Sequence, residues 1–168
     1  MNDITAIGLL GGDYIDGIRV PRDVNRGISL MTKAADLGDI ATCGRLGDVY
    51  NPELHNDYDN YNEAGKDLDK AMYYYGLAAK GGHETARYNL GILSRNAGDA
   101  NKSLKHLMIA AAQGHDEALT MIKEGYIEGS VTKDEFAKAL RAHKDSEDEV
   151  KSEQRIKAAN IWASRNRV

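Results

Sequence analysis

Cysteine, basic charge and long apolar runs are all scarce in this 168-residue chain. A lone Cys43 permits no internal disulfide and no thiolate-rich zinc site. Lysine and arginine total 22 against 26 acids, a net charge of −4. That excludes a broadly nucleic-acid-coating protein, whose footprint is basic. No stretch approaches the roughly 18 consecutive apolar residues that a membrane helix needs. The longest, Ala6 to Gly12, is short and closes on glycines, and the opening residues lack a basic leader region. These absences set the expectation of a cytoplasmic protein with no signal peptide and no membrane span. What is present suffices for one globular domain: 42% apolar residues and 17 glycines.

The chain repeats itself, and repeats decide the fold. Ala34-Ala35-Asp36-Leu37-Gly38, Ala78-Ala79-Lys80-Gly81-Gly82 and Ala110-Ala111-Ala112-Gln113-Gly114 share the word A-A-x-x-G. Fifteen residues before each glycine stands an aspartate: Asp23, Asp67 and Asp99. Eight residues after each glycine comes Leu46, Leu90 or Ile122, and nine after comes Gly47, Gly91 or Lys123. Twelve after comes Tyr50, Ser94 or Tyr126, and Ala6, Leu10, Gly11 and Tyr14 carry the same word near the start.

Each half of the repeat reads as a helix. Offsets four, eight and twelve from the glycine share one helical face. Glycine at offset nine removes a side chain where a second helix can approach. The aspartates sit where an N-cap belongs, and the closing glycine suits the left-handed residue that ends a helix. The expected fold is therefore all-α, an α-solenoid of about four antiparallel helix pairs plus a C-terminal capping helix. The expected repeats are 3–38, 39–82, 83–114 and 115–144, followed by a charged helical cap and basic tail over 145–168.

These words resemble the Sel-one-like repeat, a relative of the tetratricopeptide repeat. Repeat one carries the likeness best, through Leu10, Gly11, Tyr14, Gly17, Val20, Asp23, Gly27, Ala34, Ala35 and Gly38. Repeat four keeps Ala118, Tyr126, Gly129, Val131 and Asp134 but loses the A-A-x-x-G ending. The resemblance implies a right-handed superhelix used as a protein-interaction scaffold without catalysis. Some members of that family carry a cysteine pair in each repeat and bind β-lactams; the missing cysteines remove that reading here.

The link within each pair varies. Asn51 to Lys66 is the long one, rich in Asn, Asp and Tyr, and is expected to be a surface loop. Its Asp57 start fails as an EF-hand, because Tyr61 and Asn62 stand where Asp/Asn and the turn glycine are needed. After Gly129 there is no further glycine or proline. Thr132-Lys133-Asp134-Glu135 reads as a capping box, with Phe136, Ala139, Leu140 and His143 on one face of the helix it starts. The apolar rhythm lapses after His143, which sets the expectation of a break or bend near Asp145. Ile156 and Trp162 are expected to cover the last apolar face, and the basic residues beyond Gln154 to form a solvated tail.

A search for chemistry finds no catalytic set. His83 and His115 follow the repeat glycines and are expected to start helices rather than ligate. His106 and His143 stand isolated, and Cys43 reads as a small buried hydrophobe. There is no G-x-S-x-G, Walker loop or H-E-x-x-H. No catalytic residue, metal, cofactor or small-molecule substrate is therefore expected.

A partner would meet the face opposite the core, at offsets three, six, ten and thirteen of each first helix. That stripe reads Thr5, Gly8, Gly12, Ile15, then Ala41, Gly44, Asp48, Asn51. It continues Thr85, Tyr88, Ile92, Arg95, then Glu117, Thr120, Glu124, Ile127. The candidate partner-binding residues are Asp48, Asn51, Tyr88, Ile92, Arg95, Glu117, Glu124 and Ile127, with Tyr88 and Ile92 as apolar anchors among acids. The expected ligand is a peptide or protein segment with an apolar centre and some basic character. The competing reading of Tyr88 and Ile92 is core between neighbouring repeats. A self-associating module, or a fragment of a longer array, is the alternative function. An enzyme using the Asn51–Lys66 loop or Cys43 ranks below both.

Overall fold

The repeated aspartates and glycines fold as helix ends. The computed structural model describes residues 3–52 and 65–165, with side chains to residue 157. Among the described residues the regular elements are eight α-helices. They are α1 (Ile4–Asp16), α2 (Val24–Asp36), α3 (Ile40–Tyr50), α4 (Leu68–Lys80), α5 (Glu84–Asn96), α6 (Ala100–Ala112), α7 (Asp116–Ile127) and α8 (Lys133–Arg165). Odd and even helices pair antiparallel, and each even helix from α2 to α6 also packs on the odd helix that follows it. The result is an α-solenoid of helix-pair repeats, as the repeat pattern requires.

Asp23, Asp67 and Asp99 cap the second helices, each carboxylate accepting from a backbone N–H three residues on at 2.9–3.0 Å. Such caps are worth about 1 kcal/mol each. Each of these aspartates also donates its own N–H to the carbonyl at offset twelve, Tyr14, Tyr50 or Ser94, at 2.8–2.9 Å. That bond pins both ends of the link, so the loop between can lengthen without moving the helices. Residues 53–64, with His55, Asp57, Asp59 and Glu63, lie outside the described residues.

The A-A-x-x-G word closes each of the first three pairs as a Schellman motif. The residue after the glycine donates to the first alanine's carbonyl: Asp39 to Ala34, His83 to Ala78, His115 to Ala110, at 3.0–3.1 Å. Gly38, Gly82 and Gly114 hold φ of 89–94°, a left-handed conformation that costs a side chain dearly. The three alanines are fully buried. His83 and His115 then cap the next helices through Nδ1, accepting from Ala86 and Ala118 at 3.3 and 3.4 Å.

The core runs between the helix layers, with Leu46, Leu90 and Ile122 buried at the same offset. Their counterpart Leu10 is 39% exposed, because α1 has no preceding helix on that side among the described residues. Cys43 is 2% exposed, as expected of a small hydrophobe. Burial, with Asp39 and Asp36 nearby, pushes its thiol above the ordinary range. The thiolate is the reactive form, so Cys43 in the folded protein is expected to react with a chromogenic disulfide at least about tenfold more slowly than in denaturant. Equal rates would contradict this burial.

The C-terminal segment differs from expectation. The capping box forms as read, Glu135 Oε2 accepting from Thr132 N at 2.9 Å and Thr132 Oγ1 accepting from Glu135 N at 3.3 Å. The Thr132 hydroxyl, donating to Glu135 Oε2 at 2.6 Å, and then the Thr132 N–H hold the Glu135 carboxyl below its usual range. Yet α8 continues 33 residues with no break at Asp145. Glu147–Lys151 and Glu153–Lys157 pairs at i,i+4 support it where apolar contacts lapse. Packing on α6 and α7 uses Ala139 and His143, while Leu140 is exposed. Val150 and Ile156 are more than half exposed, so Ile156 does not cover the core. The Trp162 side chain lies outside the described residues.

Candidate interaction surface

How far adjacent repeats stand apart is decided at offset six. There Gly8, Gly44 and Tyr88 each face the N-cap residue of the next first helix. A methyl on Gly8 would lie 2.8 Å from Asp39 Oδ2, and one on Gly44 3.2 Å from His83 Nε2. With no side chain in the way, α1 approaches α3 and α3 approaches α5 closely. At the third junction the residue is Tyr88, whose ring stacks on His115 with centroids 4.5 Å apart and planes 18° off parallel. That stack props α5 away from α7 and opens a groove of about 500 Å³ lined by Glu84, Thr85, Tyr88, Asn89, His115, Asp116 and Glu117.

The groove is acidic around an aromatic ring. Burial, then the charges of Glu117 and Glu124, push the Tyr88 phenol above its ordinary range. Glu117 Oε2 stands 3.3 Å from His115 Nδ1. Of the residues expected on this face, the structure brings Tyr88 and Glu117 together at the groove. Ile92 is half-buried, Glu124 and Ile127 are exposed, and none of the three lines it.

Asp48 belongs to a second, smaller cavity of about 60 Å³ between α3 and α5. Tyr75, 1% exposed, donates its hydroxyl to Asp48 Oδ1 at 2.7 Å, and Asn89 Nδ2 donates to the same oxygen at 3.4 Å. Burial raises the Asp48 carboxyl above its usual range despite the Tyr75 bond. Burial and the adjacent Asp48 push the Tyr75 phenol strongly upward.

Asn51 requires a correction. It is 4% exposed and donates Nδ2 to the Tyr75 hydroxyl at 3.3 Å. The helical count fails there because α3 ends at Tyr50 and Asn51 is its extended C-cap, φ −68° and ψ 115°. Ile15 is likewise fully buried, against Gly27. Arg95 stands at a third site, 3.7 Å from Glu128, where both line an apolar pocket of about 210 Å³ with Leu104, Leu107, Met121 and Val131.

His115, Asn89, Glu84 and Asp116 were not among the expected site residues. The signal for His115 was in the sequence, since it follows a repeat glycine, but its stacking partner appears only when consecutive repeats are placed side by side.

The Sel1 repeat family matches residues 6–39, 62–83 and 85–115, and the chain belongs to that family. Its solved relatives include a Sel1 repeat protein from Oxalobacter formigenes, 27% identical over 83% of this chain, with a TM-score of 0.66. Another is a protective antigen of uropathogenic Escherichia coli strains displaying an SLR fold, 25% identical over 88% of this chain, TM-score 0.67. The chain spans 39% and 31% of those two structures' lengths. No curated protein matches it. Among the described residues no helix is long and apolar enough to cross a membrane.

Proposed function

We propose that this protein is a non-catalytic scaffold that holds a segment of another protein in the groove between α5 and α7. The observation that carries the reading is the Tyr88–His115 stack walled by Glu84, Asp116 and Glu117. A ring at the floor of an acidic cleft suits a segment that places a lysine or arginine beside an apolar side chain, with cation–π and charge-assisted contacts available. The acidic lining disfavours nucleic acid, whose phosphates it would repel. The held-up thiol of buried Cys43 gives no ready nucleophile, and a single reduced cysteine fits a cytoplasmic setting.

The test is selection of displayed peptides on the immobilised full chain, followed by affinity measurement with variants. Selected peptides are expected to pair basic and apolar residues. Tyr88→Ala and Glu117→Lys are each expected to weaken binding about tenfold or more, as loss of a central anchor does. Acidic peptides among the winners, or affinities indifferent to both variants, would overturn the groove.

The exposure of Leu9, Leu10 and Ile18 on the first helix pair supports a second reading, self-association. In that case the mass by light scattering rises with concentration, and Leu9→Glu returns it to the monomer value.

A further inference from the structure

His143 has a buried nitrogen without a hydrogen bond. The residue is 7% exposed, and Nε2 is shut off from solvent. Asp116 Oδ1 stands 2.9 Å from it, but off the axis a hydrogen bond requires, so the atom makes none. Such an orphan costs stability and calls for an explanation. Glu147 lies one turn further along α8 on the same face. One ligand atom from each of Asp116, His143 and Glu147 falls within 4.8 Å of the others.

We propose that Asp116, His143 and Glu147 form a binding site for a divalent transition-metal ion of zinc type. This inference stands apart from the groove reading, although Asp116 borders both places. One imidazole nitrogen and two carboxylate oxygens form an N/O set that suits zinc, cobalt or nickel. Calcium takes six to eight oxygens, and magnesium prefers oxygen and water, so neither matches a site centred on a buried nitrogen.

The spacing fits after small side-chain turns. Ligand distances of about 2.0–2.2 Å around a tetrahedral ion put ligand atoms roughly 3.4 Å apart, inside the range of 2.9 to 4.8 Å seen here. His143 is fixed by burial, and Asp116, 83% exposed, can rotate to meet the ion. Glu147 pairs with Lys151 at 3.3 Å across an exposed surface, a contact of little strength that an ion displaces easily. Three protein ligands leave a position for water, so the site is open. Because Asp116 opens α7 while His143 and Glu147 belong to α8, a bound ion ties the last helix to the first helix of its own pair.

The experiment uses the full chain stripped of metal, titrated with Zn²⁺ by calorimetry and followed by thermal unfolding. One equivalent is expected to bind and to raise the unfolding midpoint. Asp116→Asn and Glu147→Gln, both at exposed positions and nearly isosteric, are expected to keep the metal-free midpoint. Each is expected to weaken Zn²⁺ about tenfold or more and to reduce the midpoint shift, with excess Mg²⁺ unable to compete. Absence of binding in the wild type would overturn the proposal. So would binding that both variants leave intact, which would place the ion elsewhere.

Discussion

Gly27→Ala is expected to destabilise the protein by about 2 kcal/mol or more, while Gly76→Ala, also within a helix, stabilises it by up to about 1 kcal/mol. Both changes gain helix propensity, so packing alone separates their signs. At Gly27 an added methyl would stand 2.7 Å from the Gly11 carbonyl oxygen and 3.0 Å from the Ile15 backbone nitrogen. The relation is reciprocal, since a methyl on Gly11 would stand 2.8 Å from the Gly27 carbonyl oxygen. Two helix backbones meet there, and neither can yield as a side-chain tip does. At Gly76 the added methyl meets nothing within 4 Å. Thermal unfolding midpoints moving in opposite directions check the pair. A Gly27→Ala protein as stable as the wild type would mean that α1 and α2 are not held at this distance.

Local chemistry was legible in the sequence, and distances between repeats were not. Asp23, Asp67 and Asp99 act on backbone groups three residues away, so recurrence alone located them. The Schellman glycines Gly38, Gly82 and Gly114 are legible for the same reason. Counting 100° per residue places Tyr88 and Glu117 on one face, but it cannot give the gap between α5 and α7. That gap depends on Tyr88 meeting His115 at a junction where Gly8 and Gly44 leave the way clear. The same counting misplaced Asn51, because its helix ends one residue earlier. The continuity of α8 was hidden for a different reason. Apolar rhythm reports burial, and α8 persists through exposed Glu–Lys pairs after burial stops. His143 read as isolated because Asp116, which meets it, lies 27 positions away in the chain.

The hydroxyl of Tyr75 is expected to matter more as pH rises, and only while Asp48 can ionise. Burial lifts the Asp48 carboxyl in the folded state above its ordinary value. The folded protein therefore binds more protons than the unfolded chain just above that ordinary value. Stability linked to Asp48 is fully present below the ordinary carboxyl range and is lost as pH rises through the raised folded value. The Tyr75 hydroxyl limits this loss by donating to the carboxylate at 2.7 Å. In Tyr75→Phe that donor disappears, and the bond from Asn51 Nδ2 to the same hydroxyl, 3.3 Å long, is lost with it. The cost at neutral pH is expected to be about 1–3 kcal/mol, shrinking toward pH 4 as Asp48 takes up a proton. Asp48→Asn keeps an acceptor for the phenol but removes the charge. In that background Tyr75→Phe is expected to cost less, by an amount independent of pH. Comparing the two backgrounds cancels opposite slopes from Asp67 and Glu135, whose hydrogen bonds hold their carboxyls low. Denaturant unfolding of all four proteins from pH 4 to 8 measures the difference. An equal, flat cost in both backgrounds would show that the Tyr75 hydroxyl serves as acceptor for Asn51 and not as a donor to the buried charge.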